Sequence, residues 1–142
     1  DATRILSITK ASDKEYRIKA YNINTMKLEF REEIKGKYIK MKDVEQSLDS
    51  QNFAVCYNDD GVYKLRTFGR ETRNEEEIRR SDINLNDLLG IDNWSMALSN
   101  FPDPFITCCF INNEILFINL FYTFSCTHYH FYYNFVHNRF VG

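Results

Sequence analysis

The chain reads as an all-β protein: antiparallel meander sheets in three related units, with one short helix or loop insertion. Three observations predict this. Tyr21-Asn22-Ile23, three turn residues and Lys27-Leu28 are echoed by Tyr133-Asn134-Phe135, three residues and Arg139-Phe140, a hairpin written twice at an interval of 112 residues. Short β-branched and aromatic runs recur between clusters of Asn, Asp, Ser and Gly, which is how strands and their turns are spelled. Between the two copies, Asn58-Asp59-Asp60-Gly61 supplies a further tight hairpin, with Gly61 available for positive φ.

The first unit, residues 1–35, holds runs Arg4 to Lys10, Tyr16 to Ile23 and Lys27 to Ile34. Polar turns separate them, and Lys27, Glu29, Arg31 and Glu33 suit an outer strand that must resist edge pairing. In the second unit, residues 36–92, Val44 to Leu48 reads as a strand, Asp49 to Asn52 as a turn, and Phe53-Ala54-Val55-Cys56-Tyr57 as a nearly all-apolar strand. Val62 to Phe68 returns with Val62, Lys64, Arg66 and Phe68 on one face and Tyr63, Leu65 and Thr67 on the other. A polar interruption, Gly69 to Asp82, sets Glu75-Glu76-Glu77 near Arg79-Arg80 and reads as a solvated loop or helical turn. Ser81 or Asp82 would cap a short helix through Leu88-Leu89, ended by Gly90.

The third unit, residues 93–142, is unlike the others in charge. From Phe105 onward only Glu114 and Arg139 are fully charged, and 13 of the chain's 22 aromatics lie between Phe101 and Phe140. Phe105 to Phe124 has the length of a membrane span, but Asn112-Asn113-Glu114 near its middle would cost several kcal/mol in lipid. Strands Phe105 to Ile111, Ile115 to Phe121 and Thr127 to Phe135 fit better, with Val136-His137-Asn138 as the last turn. Ile5, Phe53 and Ile115 open the inner strands, and Tyr21, Phe68 and Tyr133 fall at equivalent places on the strands that follow.

Over Val44 to Phe68, a short strand, a small apolar strand, an Asp/Gly hairpin and a returning strand resemble a WD-type β-propeller blade, although the Gly-His and Trp-Asp signatures are absent. The resemblance implies about three propeller-like blades of an incomplete propeller, a single repeat region over 1–142 cut from a longer array, and a non-enzymatic scaffold that binds other proteins.

Composition narrows the function classes. With 142 residues and 44% hydrophobic content the chain can bury a core, and its net charge of −2 leaves no basic footprint for nucleic acid. Cys56, Cys108, Cys109 and Cys126 have no disulfide-like spacing, which points to a reducing, cytoplasmic compartment. No phosphate-cradling glycine loop or carboxylate pair stands out, and no cofactor is implied. The alternative is a metal-binding or thiol enzyme domain using Cys126, His128 and His130. At i, i+2 and i+4 of a strand these share one face and offer a thiol and two imidazoles to zinc or copper, with a fourth ligand from elsewhere. The same spacing is equally that of an ordinary strand face. A membrane-associated segment around 105–124 is the further alternative.

Overall fold

Local turn chemistry, repeated with the same residue types, produces the sheets. The computed structural model describes residues 4–70, 78–84, 105–122 and 127–141, and these form eleven strands. β1 (Arg4–Ser12), β2 (Glu15–Asn22) and β3 (Leu28–Lys35) make the first sheet. β4 (Ile39–Gln46), β5 (Asn52–Asp59), β6 (Val62–Arg70) and β7 (Ile78–Asn84) make the second. β8 (Phe105–Phe110), β9 (Ile115–Tyr122), β10 (Thr127–Asn134) and β11 (Arg139–Val141) make the third. Every neighbouring pair is antiparallel and consecutive in sequence, so each sheet is a meander.

The echoed motif is one turn built twice. Asn22 Oδ1 accepts from the amides of Asn24 at 2.8 Å and Thr25 at 3.1 Å. Asn134 Oδ1 accepts from Val136 at 3.0 Å and His137 at 2.9 Å, two and three residues on in both cases. Each loop then closes through a residue at positive φ, Met26 at 58° and Asn138 at 53°. A short amide side chain that satisfies the loop's own amides is the reason asparagine stands at both places. Asn112 repeats the device in the β8–β9 turn, accepting from Glu114 at 2.8 Å and Ile115 at 2.9 Å. The β5–β6 hairpin turns on Asp60 and Gly61 alone, both at positive φ (48° and 92°), the pattern of a type I′ turn.

The sheets stack with the second in the middle. From the first sheet, Ile18, Ala20, Phe30 and Ile34 pack on Ile39, Phe53, Val55, Tyr57 and Phe68 of the second. From the other side of the second sheet, Ala54, Cys56, Tyr63 and Leu65 pack on Ile106, Cys108, Leu116, Ile118, Leu120 and Tyr133 of the third. β5 is therefore buried on both faces from Asn52 to Asn58, which is why its sequence is apolar without alternation. Phe53 anchors the first interface, edge-on to Phe30 and stacked on Phe68, both at 5.3 Å between centroids.

Two arginines cross that same interface in opposite directions. Arg4, 6% exposed, donates to the Ser50 carbonyl at 2.7 Å and to Glu29 at 3.0 Å, with its guanidinium 4.8 Å from the centre of the Phe30 ring. Arg66 reaches back to Glu32 at 3.2 Å and to the Glu33 carbonyl at 2.8 Å. The crossing from β3 to β4 is clamped as well. Asp59 Oδ1 accepts from the amides of Lys37 at 2.8 Å and Tyr38 at 3.2 Å, and a Cβ on Gly36 would lie 2.4 Å from that carboxylate, so only glycine fits.

The repeat is real at the level of cross-strand pairs. Ile5 faces Tyr21, Phe53 faces Phe68 and Leu116 faces Tyr133, each pair joining the first two strands of the shared hairpin. Phe53 and Phe68 point at the first sheet, and Leu116 and Tyr133 point at the second. Ile5 and Tyr21 point away from the second sheet, so all three pairs face the same way along the stack. Leu116, and not Ile115, is thus the equivalent residue, because a shift of one position reverses the face of a strand.

Two expectations need correction. The polar stretch before Asp82 was expected as a loop or helical turn; instead Ile78–Asn84 is β7, pairing with β6 from Arg70↔Ile78 to Lys64↔Asn84. The open edge of β6 and the packing of Ile83 on the second core outweigh the helix-favouring charge spacing, and a charged edge strand resists further pairing. Ser81 and Asp82 lie in this strand and cap nothing; Leu88, Leu89 and Gly90 lie outside the described residues. β4 also begins at Ile39, five residues before the expected Val44, with a bulge between Met41 and Asp43 that keeps both Met41 and Val44 on the first core. As expected, Phe105 to Phe121 forms a hairpin, and among the described residues no helix is long and apolar enough to cross a membrane.

The Glu32–Arg66 pair tests the first interface. Arg66→Met removes a charged partner from the buried Glu32 carboxylate, 4% exposed, and is expected to lower the unfolding free energy by about 3–5 kcal/mol in urea titrations. The double variant Glu32→Leu, Arg66→Met is expected to recover most of that loss. Equal losses in single and double variants would show that the pair does not act as a unit.

Candidate functional site

The two outer faces of the stack differ in chemistry. On the first sheet, the face turned away from the second carries Glu15, Arg17, Arg31, Glu33 and Lys35, and these pair among themselves. Arg17 meets Glu15 at 3.1 Å, Arg31 meets Glu33 at 3.3 Å and Lys35 meets Glu33 at 3.2 Å. The same face also carries Ile5, 49% exposed, and its cross-strand partner Tyr21. On the third sheet, register puts Phe105, Phe117, Phe121, His128, His130 and Tyr132 on the outward face.

On that outward face, rings flank a middle row of Thr107, Asn119 and His130. His128 stacks on Phe121 at 4.3 Å with ring planes 20° apart, and His130 lies 5.3 Å from Phe117, itself 5.4 Å from Tyr132. Phe105 is 63% exposed and Tyr132 44%, so the rings are not covered by the described chain. In β9, Leu116, Ile118 and Leu120 are fully buried inward, while Phe117, Asn119 and Phe121 line the outer side. For β5 both sides are covered. For β9 only one is.

The predicted metal ligands are partly brought together. His128 and His130 share the outer face, 5.8 Å between ring centroids, as the i, i+2 spacing requires. Cys126 lies outside the described residues. His128 Nδ1 lies 3.3 Å from Asn119 Oδ1, and both rings rest on phenylalanines, an arrangement that serves packing. Among the described residues no group of three or more His, Cys, Asp or Glu side chains is placed to hold a metal ion.

A second cluster, which sequence spacing does not announce, lies at the seam between the second and third sheets. The bulge in β4 turns Asp43 and Glu45 to the same side as Cys56 and Ala54. Asp43 Oδ2 accepts from the Cys108 amide at 2.8 Å, tying β4 to β8. Burial, together with the charge of Asp43 and the hydrogen bond that the protonated Glu45 donates to it, pushes the Glu45 carboxyl up to about 7. The Cys108 thiol is pushed far up by its hydrogen bond with Cys56, then by burial and the nearby carboxylates. It is held as a protonated thiol and supplies no thiolate nucleophile. Asp59, by contrast, sits below the ordinary carboxylate range: burial opposes ionisation, but the Lys37 and Tyr38 amides and the Lys64 ammonium outweigh it.

No family model, curated protein or solved structure matches this chain.

The seam carboxylates predict a pH response. The folded Glu45 binds its proton up to about 7, against an ordinary value of 4.5, so its contribution favours folding below 4.5 and is lost as pH rises through 7. Glu45→Gln is therefore expected to raise the melting temperature above pH 7, to change it little below pH 4.5, and to flatten the slope between those values. A variant that melts lower than the parent above pH 7 would contradict the assignment.

Proposed function

We propose that the chain is a non-enzymatic protein-interaction scaffold, three propeller-like blades stacked in order, which docks its partner on the outer face of the third sheet. The observation that carries this reading is the asymmetry of the stack. One outer face carries ion pairs among Glu15, Arg17, Arg31, Glu33 and Lys35 beside Ile5 and Tyr21, and the other carries a row of rings that includes the exposed Phe105 and Tyr132. Exposed rings grouped on one sheet face are a common feature of surfaces where another molecule sits. The blade-like reading draws on the repeated cross-strand pairs and on the meander order of each sheet.

The test compares faces. In cells, proximity cross-linking with the parent chain is expected to mark a reproducible set of proteins, and Phe105→Asp or Tyr132→Asp is expected to reduce that set at least about tenfold, the scale of losing an interface anchor. Arg17→Glu, on the charged face, is expected to leave it unchanged. The scaffold reading fails if the aspartate variants, with unaltered circular dichroism, mark the same proteins as the parent.

A further inference from the structure

We infer that Cys56 and Cys108 are a disulfide pair: when the chain folds in the presence of a small disulfide oxidant such as glutathione disulfide, they join and fasten the third sheet to the second. The inference is independent of the scaffold reading and concerns the seam behind the row of rings. Irregular spacing along the sequence hides the pair, since Cys56 stands on β5 and Cys108 on β8. The fold brings them together.

Three observations converge on these two residues. Cys56 and Cys108 belong to one core cluster where the second and third sheets meet, and they are 0% and 5% exposed. Asp43 ties their strands to one another: it stands opposite Cys56 in the β4–β5 register, and its carboxylate accepts from the Cys108 amide at 2.8 Å. The two thiols then meet in a hydrogen bond. A disulfide needs its two Cβ atoms about 3.5–4.5 Å apart. Thiols already in contact need only a short approach, and β8, an edge strand with β9 as its one neighbour in the sheet, has the freedom to make it. Cys109, next along β8, is exposed and projects to the opposite face, so it does not compete for Cys56.

The chemistry is thiol–disulfide exchange. The thiolate of one cysteine attacks a sulfur of glutathione disulfide, forming a mixed disulfide and releasing one glutathione. The thiolate of the second attacks the protein sulfur of that mixed disulfide and releases the other glutathione. Two protein thiols are thereby oxidised, one glutathione disulfide is reduced to two glutathione thiols, and these take up the two protons. In the closed seam neither step has a free thiolate or room for the oxidant, because both sulfurs are buried and Cys108 is held protonated. The bond therefore forms during folding, before β8 seats on β4. Once the seam has closed, the same burial shields the bond from reductants, and the chain keeps a record of the redox conditions in which it folded.

Refolding tests the pair. A Cys109→Ser chain, denatured and reduced, is refolded in mixed reduced and oxidised glutathione, its free thiols are alkylated, and its peptides are mapped by mass spectrometry. The expected product is a monomer with Cys56 joined to Cys108, melting at least about 5 °C above the same chain refolded with dithiothreitol. Adding Cys108→Ala is expected to abolish both the cross-link and the difference in melting temperature. Alkylation of both Cys56 and Cys108, the result if they serve only as small apolar side chains, overturns the inference. Pairing of either with Cys126, or a cross-linked chain that melts no higher than the reduced one, overturns it as well.

Discussion

β5 is the constraint on which the rest of the molecule depends. A strand buried on both faces must find an apolar layer on each side. Its odd-numbered residues, Phe53, Val55 and Tyr57, require the first sheet; Ala54 and Cys56 require the third. Because side chains alternate, one strand can hold two sheets at once, and a slip of a single residue would exchange the two sets and ruin both interfaces. The tight Asp60-Gly61 turn, the Asn58 side chain that accepts from the Gly61 amide at 2.8 Å, and the bulge in β4 all hold that register.

The two interfaces around β5 are built differently, and this sets what the molecule can do. The first is pinned by charge: Arg4 and Arg66 each reach a carboxylate and a backbone carbonyl across or along the layer. Buried guanidiniums of this kind contribute mainly to fixing one geometry, since each charge must keep its partner. The second is mostly aliphatic and aromatic, with Asp43 on the Cys108 amide as its polar fixing point. Polarity thus falls along the stack, from the ion-paired outer face of the first sheet to the bare rings of the third.

Much of the fold was legible in the sequence because its signals are local. The Asn22 and Asn134 turns, the Asp60-Gly61 hairpin and the unalternating run of β5 each carry their own structural reason within a few residues. Asn22, Asn58, Asn112 and Asn134 all accept hydrogen bonds from their own loops. β7 was not legible: Glu75 to Arg80 has the charge spacing of a helix, and only the free edge of β6 makes Ile78–Asn84 a strand. The candidate site was half legible. The row containing His128 and His130 follows from strand periodicity, but its meaning comes from Phe117 and Phe121 on the neighbouring strand, and cross-strand partners depend on register.

The central claim, that the second sheet is the filling of a three-sheet stack, is tested most directly by native-state amide hydrogen exchange resolved by residue. Amides of β5, covered on both sides, are predicted to exchange only through global unfolding and to be the slowest in the chain. Those of β1 and β11, at sheet edges, are predicted to exchange orders of magnitude faster by local opening. Protection in β5 no greater than in β1 would contradict the stack.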